Sequence, residues 1–162
     1  MDGLKRSFPP VVDSTTRVLV LGSLPGEESL ARQRYYANPR NQFWRLIGAV
    51  AGLDLEPLAY EARLEALLAR GIGLWDTVGS ATRQGSLDGN IRGIAPNPLP
   101  ELVSELPALR AIGFNGGKSA ALGMPQLVDR GLALIPLPSS SPAYTLAFEA
   151  KLAEWRKLAV FL

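Results

Sequence analysis

The chain contains neither cysteine nor histidine. Without cysteine there is no disulfide, no iron–sulfur ligation and no thiolate nucleophile. Without histidine the commonest acid–base group is missing, and a zinc site would need carboxylates alone. Chemistry is left to Asp, Glu, Asn, Ser, Tyr, Lys, Arg and main-chain groups. Long apolar runs are missing too: no stretch reaches the roughly eighteen residues of a membrane-spanning helix. The opening residues, MDGLKRSFPPVVD, hold no apolar signal core, so a cytoplasmic location is expected. Charge of one sign is not in excess. With 17 basic and 15 acidic side chains, net charge is +2, which permits a polyanionic partner without demanding one. There is no internal repeat, low-complexity tract or linker. With 162 residues, 47% of them hydrophobic, one domain spanning residues 1–162 is expected.

What is present is an alternation of strands and helices. Residues 17–21, RVLVL, are apolar on both faces and end at Gly22, as a central parallel strand does. Further strands are expected within 71–78, 109–117 and 131–143. Helices are expected over 27–34, 41–52, 59–70, 98–106, from 118, and over 144–161. Residues 79–98, GSATRQGSLDGNIRGIAPNP, read as a long polar loop. This alternation predicts an α/β fold, a three-layer α/β/α sandwich around a four-stranded parallel sheet. Sites in such sheets lie beyond the carboxyl ends of the strands. Four polar or Gly-rich segments follow the four strands, so they are expected to converge on one edge.

Each segment has a functional and a plain reading. GSLPG, Gly22 to Gly26, either lets main-chain amides approach a phosphate or base, or simply turns strand into helix. It is neither a Walker loop nor GxGxxG. In FNGGKSA, Asn115 offers a donor and an acceptor to a base edge and Lys118 meets a phosphate; otherwise the stretch is a turn. In LPSSSPAYT, three serines between prolines grip a phosphate backbone, or Ser141 before Pro142 caps a helix. Asp76, at the second strand's end, orients a substrate or caps the next loop. RQGSLDGNI contacts a ligand or is a turn. Trp44, Trp75 and Trp155 fall at apolar positions and read as core. Residues 34–44, RYYANPRNQFW, mix aromatics with amides. Phe43 and Trp44 read as core; Tyr36 as a stacking platform and Asn41 as a group entering a site remain open on pattern alone.

Taken together, VLVLGSLPGEESL, YYANPRNQFWRLIG, GIGLWDTVGSATRQGSLDGNI, FNGGKSA and LPSSSPA resemble, in order, the motifs of the uracil-DNA glycosylase superfamily. The similarity is to its family 6 branch, the hypoxanthine-DNA (deoxyinosine) glycosylases, and runs from about residue 7 to 160. It implies a base-excision repair enzyme acting on double-stranded DNA that holds a damaged base, flipped from the stack and cut from its sugar without metal or cofactor. A monomer is expected, with no membrane partner. By this resemblance Tyr36 stacks on the flipped base and Asn41 positions the attacking water. Ser23 is a further catalytic candidate, lining the pocket floor with Gly22. Asn115 and Asp76 contact the base. Pro25, Gly26, Lys118, Ser139, Ser140, Ser141, Pro142 and Tyr144 are expected at the DNA.

The chemistry is self-consistent. Breaking the N-glycosidic bond puts positive charge on the sugar and negative charge on the base, so a fixed water and charge stabilisation suffice. An Asn amide at the hypoxanthine carbonyl would disfavour adenine. Uracil-removing relatives often carry Asp or Asn where this chain has Ser23, and His where it has Ser139; both departures argue against strong uracil activity. Close relatives are expected to carry His where this chain has Asn38, and no role follows for Asn38 or Tyr144. The alternatives are a uracil, mismatch or broad deaminated-base glycosylase, and, in another class, a DNA-binding module without catalysis.

Overall fold

A computed structural model describes residues 3–162. The strands are β1 (Lys5–Arg6), β2 (Val18–Gly22), β3 (Ile72–Asp76), β4 (Val78–Thr82), β5 (Arg92–Pro96), β6 (Ala111–Asn115) and β7 (Ala133–Leu137). The helices are α1 (Glu27–Arg32), α2 (Phe43–Ala51), α3 (Tyr60–Ala69), α4 (Leu99–Ser104), α5 (Gly117–Leu127) and α6 (Phe148–Trp155).

Four strands form a wholly parallel sheet in the order β3-β2-β6-β7. Central β2 is buried at all five positions because helices cover both faces. Its side chains alternate between two cores. Val18 and Val20 pack with Phe43, Leu46, Ile47 and Trp155 beneath α2 and α6. Leu19 and Leu21 pack with Leu99, Leu102, Ile112 and Leu127 beneath α4 and α5. The result is the expected three-layer sandwich. Trp44, Trp75 and Trp155 are all buried. Helix α2 stops at Gly52, whose φ of 71° is left-handed and suits glycine.

Two expectations need correction. Residues 79–98 are largely not loop. β4 and β5 form an antiparallel hairpin, and β1 pairs with β4 to complete a second, three-stranded sheet. Val78, Ala81 and Ile91 pack with Leu24 under this sheet, too small an apolar set to stand out among Gly, Ser, Thr and Arg. The last helix also starts later than expected, at Phe148, and ends in a 3-10 segment, Arg156–Phe161. Ser141 does not cap it. Its hydroxyl accepts from the amide of Ala143 at 3.2 Å, a local turn that keeps the serine loop out of helix.

Candidate base-binding cleft

The carboxyl ends of the four parallel strands meet at one cleft of about 380 Å³. Gly22 ends β2, Asp76 ends β3, Asn115 ends β6, and Ser139 to Ala143 follow β7. The hairpin adds a further wall, Ser86, Leu87 and Asp88, from the RQGSLDGNI stretch that reads as a ligand contact or a turn.

The GSLPG turn is held by its carbonyls. Gly22 O and Ser23 O accept from the amides of Thr77 (2.8 Å) and Val78 (2.9 Å). Leu24 O accepts from Arg83 Nη1 at 3.3 Å, Pro25 O from Arg83 Nη2, and Gly26 O from the Leu30 amide at 2.9 Å. Arg83, buried on the hairpin, therefore fixes the turn from behind. The Ser86 hydroxyl accepts from the Glu27 amide at 2.9 Å, and Lys5 pairs with Glu27. Ser23 is buried, and its hydroxyl donates to Asp88 Oδ1 at 2.6 Å. This bond ties Ser23 to the hairpin.

Tyr36 lines the cleft with one ring face against Phe43, centroids 3.8 Å apart at 11°. Its backbone is left-handed, φ 52°, a strained conformation for a bulky residue that surrounding contacts must hold. Trp44 Nε1 donates to Tyr36 O at 3.1 Å, and Asn115 Nδ2 donates to its hydroxyl at 3.3 Å. Burial, and after it the charge of Asp76, pushes the Tyr36 phenol above its ordinary range.

Asn41 stands at the mouth of α2, where its Oδ1 accepts from the Phe43 amide at 2.9 Å. That bond fixes which end of the amide is oxygen, and Nδ2 bonds to no described residue. Asn38 repeats the motif one turn earlier: its Oδ1 accepts from the Arg40 amide (2.9 Å) and its carbonyl from the Asn41 amide (2.9 Å). Two successive side-chain turns thus stiffen the segment.

Asn115 is nearly fully occupied. Nδ2 donates to Ser140 Oγ at 2.8 Å, and Oδ1 accepts from the Ser140 amide at 2.9 Å. Only the 3.3 Å contact to Tyr36 is weak enough for a base carbonyl to displace easily. Ser140 is 1% exposed, and its carbonyl accepts from the Gln42 amide. Its amide, carbonyl and hydroxyl oxygen are thus tied to Asn115 and Gln42, which gives this lining residue a structural role in the loop. Ser139, Ser141 and Pro142 do line the cleft, as do Pro25 and Gly26. Lys118 and Tyr144 do not. Lys118 lies in the first turn of α5 outside the cleft, and Tyr144, 48% exposed, stands beyond the serine loop. Lys151, 1% exposed, anchors that loop from below by donating to Ser141 O (3.2 Å) and Gln42 Oε1 (2.9 Å).

Asp76 is 4% exposed, and its Oδ2 has no hydrogen-bond partner among the described residues. Burial first, then the Asp88 charge, pushes its carboxyl up to about 7 against an opposing pull from Arg83. Gly22 is what makes room for it. A Cβ there would lie 2.6 Å from Asp76 Oδ1 and 3.1 Å from the Tyr36 hydroxyl. Gly22→Ala is therefore expected to slow turnover at least roughly tenfold while the circular dichroism spectrum stays that of wild type.

A parallel sheet opening at its carboxyl edge into a cleft that holds the Tyr36 ring, three asparagines and a buried carboxyl defines an α/β/α domain shaped for a planar, hydrogen-bonding ligand. Comparison makes the class specific. The chain belongs to the uracil DNA glycosylase superfamily, whose sequence model matches residues 9–161. It is 42% identical over 152 residues to the hypoxanthine DNA glycosylase of Methanosarcina acetivorans, covering 94% of this chain and 96% of that one. It is 40% identical over 151 residues to the protein of the same name from Methanosarcina barkeri, covering 93% and 95%. A solution NMR structure from Methanosarcina acetivorans superposes with a TM-score of 0.88 at 41% identity, covering 97% of both chains.

Proposed function

We propose that the protein is a monofunctional DNA glycosylase that removes hypoxanthine from duplex DNA, acting as a single domain and a monomer. The supporting observation is the cleft itself: Tyr36 backed by Phe43, with Asn41, Asp76 and Asn115 around one concavity. A flipped base stacks on Tyr36, where the ring behind it prevents yielding. In its protonated form, which burial favours, the Asp76 carboxyl offers one donor and one acceptor, the complement of the N1–H and C6=O edge of hypoxanthine. Asn115 supplies a further amide donor once it exchanges its weak bond to Tyr36.

Asn41 cannot take a proton at ordinary pH, so its part is to orient water toward C1′. The C1′–N9 bond breaks with its electron pair leaving on the base. The water oxygen bonds to C1′, and a water proton ends on the released hypoxanthine. The products are free base and an abasic site. Ser23 and Ser139, where uracil-removing relatives often carry Asp or Asn and His, favour hypoxanthine over uracil.

The test is strand cleavage by alkali after incubation with oligonucleotides carrying hypoxanthine, uracil, xanthine or ethenocytosine. Hypoxanthine is expected to be cut fastest. An uncut hypoxanthine strand sinks the reading.

A further inference from the structure

A second cleft, also about 380 Å³, opens on the other side of residues 35–41. Tyr35, Tyr36, Asn38 and Asn41 line both, so this short segment is a shared wall. The two clefts have opposite charge. The base cleft is lined by Glu27, Glu28, Asp76 and Asp88 and by no lysine or arginine. The second is lined by Arg32, Arg34 and Arg63 against Glu56 alone.

These guanidiniums are not neutralised by ion pairs. Among the described residues the salt bridges are Lys5–Glu27 and Lys157–Glu154, neither in this cleft. Arg63 is fixed as part of the wall. Its Nε donates to Leu58 O at 3.0 Å and its Nη2 to Glu56 O at 2.7 Å, with Cζ 5.2 Å from the Trp44 ring. Arg34 lies with Cζ 5.3 Å from the Tyr60 ring. Arg32 and Arg34 are exposed and donate no side-chain hydrogen bond to any described residue, which leaves their forks available. Planar guanidiniums steadied on aromatic faces match the geometry of phosphate oxygens.

With a net charge of +2, the molecule as a whole attracts DNA weakly. Its base cleft offers phosphate no lysine or arginine, and its lining carries acidic Glu28 and Asp88 besides Glu27, which Lys5 pairs. We propose that the arginine cleft receives the phosphodiester backbone of the substrate strand beside the flipped nucleotide, so that base and backbone part on opposite sides of the Tyr35–Asn41 wall. This rests on the glycosylase reading, since it takes the same DNA as its ligand. The separation of charge also sets direction: a strand laid the other way would bring phosphates over Glu27 and Glu28.

The experiment is fluorescence anisotropy of an undamaged duplex across a salt series, for wild type, Arg32→Ala/Arg34→Ala, and Arg110→Ala. Arg110 is exposed at the amino end of β6, the opposite edge of the sheet. The double variant is expected to bind at least about tenfold more weakly near 100 mM salt, and its slope of log affinity against log salt to fall by about 2. Arg110→Ala should keep both. On a hypoxanthine duplex the double variant's loss should appear in KM rather than kcat. An unchanged slope in the double variant overturns the proposal, whatever the excision assay gives. A reduced slope in a protein that cuts no lesion leaves the arginine cleft standing and removes the enzymatic reading instead.

Discussion

Asn41→Ala is expected to lower the single-turnover rate of hypoxanthine release by about 10²–10³-fold while duplex affinity stays within about threefold of wild type. The reasoning starts from one bond. Asn41 Oδ1 is pinned by the Phe43 amide, so the side chain cannot swing and its Nδ2 stays free. A water held by a pinned amide is oriented before the bond breaks, and such preorganisation contributes to the transition state more than to ground-state binding. Alanine also removes the turn that starts α2, at a cost of about 1 kcal/mol to folding. Asn41→Asp separates the two effects: it keeps the acceptor for the Phe43 amide, so a melting temperature near wild type with an altered rate isolates the chemistry. If Asn41→Ala turns over at a near-normal rate, water is positioned elsewhere, and Ser23 and Asp76 are the next candidates.

The second large effect concerns Asp76 and pH. Its folded pKa is raised from 3.8 to about 7. Between these values the folded protein holds a proton that the unfolded chain has released. Stability from this group is therefore fully present below about pH 4 and is lost as pH rises through 7. The gap corresponds to about 4 kcal/mol. In Asp76→Asn the group no longer titrates. The melting temperature of the variant relative to wild type should thus climb between pH 4 and pH 8, by roughly 10 °C in all. Taking the difference cancels carboxyl groups remote from Asp76, including Asp13, whose pKa is lowered by Thr15 and which acts with the opposite sign; Asp88, coupled to Asp76, contributes to the difference. A difference that stays flat with pH would mean Asp76 is ionised in the folded protein. It would then present only acceptors to a base, and its pairing with a C6 carbonyl would have to be abandoned.

The strand ends were the legible part of this molecule. RVLVL, GIGLWD, AIGFN and the run before LPSSS are each short and apolar, and each ends in Gly, Asp, Asn or Pro. A parallel sheet then brings the next residues together whatever the loops do. Asp76 and Asn115, at strand ends, follow from this alone; Tyr36 and Asn41 lie outside it, and only the resemblance to the glycosylase motifs marked them. The hidden residues act through partners that are far away in sequence or lie on the main chain. Arg83 bonds to carbonyls 59 and 58 positions earlier, and no pattern marks a carbonyl. Asp88 meets Ser23 across 65 residues. Serines between prolines suit phosphate, yet Ser140 also ties the loop inward, through its amide and hydroxyl oxygen to Asn115 and its carbonyl to Gln42, a role no pattern marks. Lys118 and Tyr144 sit in segments that border the cleft without lining it, so their expected contact is with DNA outside the cleft: adjacency in sequence gives the loop, not which side chain enters the cleft.

Ser140 and Lys151 also bear on how damage is found. A loop bonded to Asn115 and Gln42, with a buried ammonium under Ser141, presents Pro142 and Ala143 as a fixed shape. A surface this firmly tied moves little when it meets a partner, so the strain of opening a base pair falls on the duplex. That strain is least where pairing is already poor. On the proposed function, lesion search would then be passive sampling: the protein would hold still, and the bases it met most often would be those that leave the stack unaided.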